Sequence, residues 1–213
     1  KKLHIIGVGY RPDSSNATGF TLLNGDLRFV TGGDSSTVTG IKLNGQVFFG
    51  TNAASSNVSN VYLYRNEFLN NVYIFYSNNT GSLANQILLE ENIIRGYFYG
   101  GNSTDLTLIK NIIYGSVTYA SYAYFFNNII LFNGGNTVYN CTGTVFNNNI
   151  FTTTSPYFLY SWSIVFQNNL FVLNQTTIPD GAAIWTGNII NQPLSSIFQN
   201  YVANDLWQSN LHL

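Results

Sequence analysis

The feature that most constrains this chain is a recurrent tripeptide, an asparagine followed by two apolar residues: Asn92-Ile93-Ile94, Asn111-Ile112-Ile113, Asn128-Ile129-Ile130, Asn149-Ile150-Phe151, Asn169-Leu170-Phe171 and Asn188-Ile189-Ile190. Successive asparagines lie 17 to 21 residues apart. A unit that small cannot bury its own apolar face, so the period predicts a solenoid of stacked coils. Two diverged copies, Asn66-Glu67-Phe68 and Gln46-Val47-Phe48, extend the pattern toward the N-terminus.

The residues before each asparagine alternate in polarity, as in Val61-Tyr62-Leu63, Ile87-Leu88-Leu89, Leu106-Thr107-Leu108 and Ile164-Val165-Phe166. Alternation at period two predicts a strand with one buried face. The asparagine itself is expected to adopt the left-handed backbone region, which its short polar side chain tolerates, and so to form a bend between two strands. Coils stacked in register place Asn66, Asn92, Asn111, Asn128, Asn149, Asn169 and Asn188 above one another, a structural ladder of amide-to-amide hydrogen bonds. The column three residues earlier, Leu63, Leu89, Leu108, Phe125, Phe146, Phe166 and Trp185, is assigned to the interior. Polar runs at 52–59, 77–82 and 100–105 read as loops on the return side of the coil.

The predicted fold class is therefore all-β, with coils of about 20 residues. One domain is expected over 1–213, with irregular N-terminal coils at 1–50, regular coils at 51–190 and a C-terminal tail at 191–213. Charged residues make up only 8% of the chain, yet 45% is hydrophobic and 16% aromatic, which excludes a disordered polymer. The regular period argues against a prion-like tract. Net charge is −1 and the basic residues form no run, so no nucleic-acid partner is expected. The single cysteine, Cys141, allows no disulfide framework and reads as a buried coil position. No apolar run approaches the roughly 18 residues of a membrane span.

The spacing and the Asn bend resemble the right-handed parallel β-helix repeat proteins of the broad pectate-lyase-like superfamily. The opening Lys2–Gly9, an apolar strand ending in Gly-Val-Gly, is similar to an early coil of such proteins, and Asn204–Leu213 is similar to the segment after their last coils. The resemblance implies a right-handed β-helix of the bacterial secreted or surface type, with an extracellular or cell-surface location. It also implies flanking domains of the same protein, so that this chain is a fragment of a longer one.

Enzymes on that fold work with clustered carboxylates and a base, since sugar chemistry needs an acid and a base within reach of one bond. The nine acids here are mostly isolated in different coils, and the Asn-Thr-Asp and Gly-His-Gly signatures of the pectin hydrolases are absent. The one charged constellation is Arg65, Glu91 and Lys110, each one residue before its asparagine, with Glu90 and Glu67 nearby and Arg95 on the neighbouring strand. It reads as a surface ion ladder. The weak catalytic alternative makes Glu90 or Glu91 the acid or base, with Arg65 or Lys110 holding an acidic sugar. No cofactor is expected, and no group of carboxylates is spaced for a metal.

A third short strand in each coil is rich in rings. If Ile74, Phe98 and Val138 point inward, then Tyr73, Phe75, Tyr97, Tyr99 and Tyr139 form an outward ligand-binding strip on which sugars could stack. The rival reading packs these rings under loops or in the core. An ice-binding array is excluded, because Thr152-Thr153-Thr154 and Thr176-Thr177 do not recur in register. The expected function is a non-catalytic extracellular or cell-surface module, an adhesin or polysaccharide-binding region. The alternative is a lyase or glycoside hydrolase acting on an acidic polysaccharide.

Overall fold

The computed structural model describes residues 1–9, 19–50, 57–75, 83–101, 103–131, 136–152, 157–159, 161–172, 182–193, 198–199 and 210–211. Residues 52–56 of the expected loop at 52–59, the expected loop at 77–82, residue 102 of the third and most of the expected tail lie outside them, as do Thr153, Thr154, Thr176 and Thr177, whereas Val58, Ser59, Thr104 and Asp105, also read as loop, begin strands. Among the described residues there is no helix, and therefore none long and apolar enough to cross a membrane.

The chain visits three parallel sheets in rotation, and each strand pairs with the strand one full circuit later. The first sheet has nine strands: His4–Ile6, Thr37–Thr39, Val58–Tyr64, Ala84–Glu90, Thr104–Ile109, Tyr124–Phe126, Val145–Asn147, Ile164–Gln167 and Ala182–Thr186. The second has eight: Thr21–Asn24, Ile41–Asn44, Glu67–Phe68, Ile93–Ile94, Ile112–Ile113, Ile129–Ile130, Ile150–Phe151 and Leu170–Phe171. The third has seven: Leu27–Phe29, Val47–Phe49, Val72–Tyr73, Phe98–Tyr99, Val117–Thr118, Asn136–Tyr139 and Tyr157–Leu159. Residues 1–50 thus supply the first two strands of every sheet. Phe198–Gln199 and Asn210–Leu211 form a separate antiparallel pair. Long stacks of parallel strands in an all-β chain are the topology of a β-solenoid.

In-register stacking turns sequence positions into columns. From the first sheet Leu63, Leu89, Leu108, Phe125, Phe146 and Phe166 point inward and are buried, with Val38 ahead of them and a half-buried Trp185 at the far end. The second sheet contributes Leu43, Phe68, Ile94, Ile113, Ile130, Phe151 and Phe171, and the third Val47, Val72, Phe98, Val117 and Val138. Later coils fill the interior with rings, stacked at 4.7 Å for Phe125 on Phe146 and 4.8 Å for Phe151 on Phe171. Each such side chain contributes about 1.5–3 kcal/mol by burial. Cys141 lies fully buried in this core, and burial pushes its thiol up to about 12. It is inert as a nucleophile at neutral pH.

The bend between the first and second sheets differs from the expectation in one respect. The residue in the left-handed region is the one before each repeat asparagine, Arg65, Glu91, Lys110, Asn127, Asn148, Asn168 and Gly187, and likewise Gly40 before Ile41 in the coil ahead of them, with φ between 53° and 70°. A left-handed residue there throws its own side chain outward and leaves the next one pointing in. The repeat asparagines are consequently buried, apart from a half-buried Asn188. From Asn66 to Asn169 each side-chain amide spends both protons. In Asn128, Nδ2 donates to Oδ1 of Asn149 at 3.0 Å and to the Leu108 carbonyl at 2.9 Å. Its own Oδ1 accepts from the backbone N–H of Asn111 at 2.9 Å and from Asn111 Nδ2 at 3.0 Å. The same side-chain pairing joins Asn66 to Asn92, Asn92 to Asn111, Asn149 to Asn169 and Asn169 to Asn188. At the start, Asn66 Oδ1 accepts from Ile41 N–H.

That last bond corrects the reading of Gln46-Val47-Phe48. The residue in register with Asn66 is Ile41, whereas Val47 and Phe48 pair with Val72 and Tyr73 in the third sheet. The string resembles the repeat but belongs to another side of the coil.

Replacing Asn128 by Ala takes the acceptor from the Asn111 backbone N–H and the side-chain donor from the Leu108 carbonyl, and it leaves Asn149 Oδ1 with only the backbone N–H of residue 128. Unpaired buried groups cost about 1–3 kcal/mol each, so a loss of about 2–4 kcal/mol in unfolding free energy is expected by urea denaturation. Asn128→Asp should be worse still at pH 7, since an ionised carboxylate would face two oxygen acceptors. An acid disfavoured in its charged form has a raised folded pKa, so the variant should regain stability as pH falls toward about 4.

Candidate binding surface

The left-handed bend residues place three long charged side chains in one external column. Arg65 Nε donates to Glu91 Oε2 at 2.7 Å, and Lys110 Nζ stands 3.8 Å from Glu91 Oε1. The hydrogen bond from Arg65 holds the Glu91 carboxyl below its ordinary range, against a smaller opposing effect of burial. Arg65 and Lys110 are largely exposed, so this pairing contributes at most about 1 kcal/mol. Arg65 also lies over the ring of Tyr64 at 4.6 Å, and Tyr64 stacks on Tyr62. Glu90 belongs to the outer face of the first sheet, where its Oε2 accepts from the Tyr62 hydroxyl at 2.6 Å. Burial and that bond push the Tyr62 hydroxyl up.

A second plus–minus–plus group occupies the second sheet. Glu67 is buried and lies 3.1 Å from Lys42 Nζ and 2.9 Å from Arg95. Arg95 continues onto the ring of Tyr114 at 4.6 Å. Lys42 is absent from the sequence-based candidates because the displaced reading of Gln46 hid its register with Glu67. Among the described residues no group of three His, Cys, Asp or Glu side chains is placed to hold a metal ion.

The proposed ring strip has a different geometry from the expected one. Phe48, Tyr73 and Tyr99 occupy one column of the third sheet and stack nearly parallel, at 5.1 and 4.5 Å, with Arg28 over Phe48 at 4.7 Å. Phe75 meets Tyr73 and Tyr99 edge-on, and Tyr97 meets Tyr99 edge-on. Tyr139, two coils beyond Tyr99 with Thr118 between, has its ring against Tyr119. Stacking along the solenoid axis occupies the ring faces of Tyr73 with neighbours and leaves edges for solvent, whereas sugar stacking needs faces. Tyr73, Phe75, Tyr99 and Tyr139 are half-buried, and Tyr97 is exposed.

Exposed rings of another set, Tyr119, Tyr122, Tyr124 and Trp162, lie along or beside the corner where the third sheet returns to the first. None was a sequence-based candidate, since a corner breaks the alternation that guides such reading. The available signal was spacing: 21 residues after Tyr122, the stacked position holds Gly143.

By fold the protein is an all-β chain of stacked parallel sheets. No family model matches it, and no curated protein or solved structure matches it either.

Glu91→Gln should change stability by less than about 1 kcal/mol at pH 7. Because the folded Glu91 pKa is depressed, the wild-type advantage is present above about 4.3 and vanishes as pH falls through the folded value. Glu67→Gln leaves two half-buried cations without their anion and should cost about 2 kcal/mol. Thermal unfolding of both variants from pH 3 to 7 checks the contrast.

Proposed function

We propose that the chain is a right-handed parallel β-helix of the pectate-lyase-like kind, with an asparagine ladder at one bend of each coil of about 20 residues. It serves as a non-catalytic extracellular or cell-surface module that binds polysaccharide. Right-handedness follows from the strong preference of parallel crossovers, set by strand twist. The ladder reading is supported by the chain of side-chain amide bonds from Asn66 to Asn188.

The observation that carries the binding role is the group of solvent-exposed rings on a surface poor in charge. Rings with accessible faces and polar rims suit the apolar faces and hydroxyls of sugars. A non-catalytic role is supported by the engagement of five described carboxylates, while Asp105 stands exposed away from them. Glu91 is held ionised by Arg65, Glu67 lies between two cations, and Glu90 accepts from Tyr62. Asp26 binds Arg28 and the Gln46 N–H, and Asp34 binds Ser59. A general acid needs a proton to give, and Glu91 keeps none at neutral pH.

Affinity electrophoresis through gels containing plant and bacterial polysaccharides, run beside reducing-sugar and unsaturated-product assays on the same polymers, should show retardation without turnover. Turnover of an acidic polymer that disappears in Glu91→Gln would establish the enzymatic alternative instead.

A further inference from the structure

The solenoid is electrically divided along its length. All eight Lys and Arg residues fall at or before Lys110, and residues 111–179 contain no Asp, Glu, Lys, Arg or His. In the charged part, cations lie over ring faces, as with Arg28 on Phe48, Lys42 on Phe20, Arg65 on Tyr64 and Arg95 on Tyr114. The neutral coils have no such caps to offer.

Two of the neutral coils' most exposed rings sit at the corner between the third and first sheets. Tyr122 is 66% exposed and Trp162 is 57% exposed. Ser121, Thr142 and Trp162 stack in one column of parallel bridges, and the adjoining column holds Tyr122, Gly143 and Ser163. All three residues of that second column are left-handed, with φ of 53°, 61° and 56°. A side chain at Gly143 would collide with the Cδ1–Cε1 side of the Tyr122 ring, so the ring lies against the Gly143 position while most of its surface meets solvent. Tyr119, also left-handed at φ 54° and exposed, stands beside them.

A bulky residue in the left-handed region is a conformational outlier, and such strain persists where something other than local preference selects the residue. At Arg65 and Glu91 the ion pair offers a partial structural return. Tyr122 has little: its ring is mostly solvated, and the same position one coil later is filled by glycine, which carries no such strain. Among the described residues neither the Tyr122 nor the Trp162 ring has a ring or cation partner.

We infer that this corner, carried by Tyr122 and Trp162 with Tyr119 alongside, is a subsite for an uncharged polysaccharide chain. Trp162 and Ser121, next to Tyr122, are two rungs apart, roughly 10 Å along the axis, on the scale of a disaccharide. Sugars of one chain pack on the two exposed rings, while Ser121, Asn140, Thr142 and Ser163 supply hydroxyl and amide groups around them. The absence of charge over 111–179 sets the ligand class, because an acidic polymer would lose hydration there with no cation to compensate. This assignment rests on the polysaccharide-binding reading above and narrows it to one place and one chemistry.

The test is affinity electrophoresis of the whole chain through laminarin, xyloglucan and dextran as neutral probes, and polygalacturonate and alginate as charged ones. Retardation by at least one neutral polymer and neither acidic one is expected. The apparent Kd should rise at least tenfold in both Tyr122→Gly and Trp162→Ala. Tyr122→Gly should keep or raise the thermal midpoint, since glycine suits φ 53° there, which separates lost binding from lost folding. Neutral-polymer binding unchanged in both variants, or binding of the acidic probes alone, would overturn the corner site and leave polysaccharide binding in place. Retardation by none of the five polymers would overturn both.

Discussion

The structure depends on one constraint: every coil must turn sharply between its first and second sheets while its bend stays buried. A turn of that kind leaves a backbone N–H and a carbonyl without partners in the ordinary strand pairing. From Asn66 to Asn169 one asparagine per coil meets both needs, its oxygen accepting from the coil before and its nitrogen giving one proton back to a carbonyl there and one to the amide ahead. Because all valences are used, the column is stable without charge and without water. Its direction is fixed as well, since reversal would oppose donors to donors.

Other features follow from that arrangement. An inward asparagine needs an outward, left-handed predecessor, and this one position is filled by glycine, asparagine, arginine, glutamate and lysine in different coils. In coils with no opposite charges to pair, Asn127, Asn148 and Asn168 occupy it, as expected of a residue that tolerates the conformation. Arg65, Glu91 and Lys110 accept about 1–2 kcal/mol of strain each and gain back only part of it as an exposed ion ladder. Strict register also explains the aromatic stack of the third sheet, because like residues at like positions must meet face to face at strand spacing.

Much of this was legible in the sequence. Period-two alternation before each asparagine located the first sheet and its inward column, and the spacing of the asparagines located the stack. What could not be read was register where the repeat had changed its letters. Ile41 stands in the asparagine position, whereas Gln46-Val47-Phe48 imitates the motif one side further round, and only strand pairing separates them. Likewise Tyr73 and Tyr99 were recognisable as outward residues, but stacking spent their faces on each other. The exposed rings at Tyr122 and Trp162 lie in a corner, where neither periodicity applies and the only clue is a tyrosine stacked on a glycine.

The repeat asparagines, and not their neighbours, hold the bends. Hydrogen exchange of assigned asparagine side-chain amides, followed by NMR, tests this most directly. The Nδ2 protons of Asn92, Asn111, Asn128 and Asn149, buried and doubly bonded, should exchange far more slowly than those of the exposed Asn127, Asn148 and Asn168 one residue away. Equal exchange in the two groups would contradict the account.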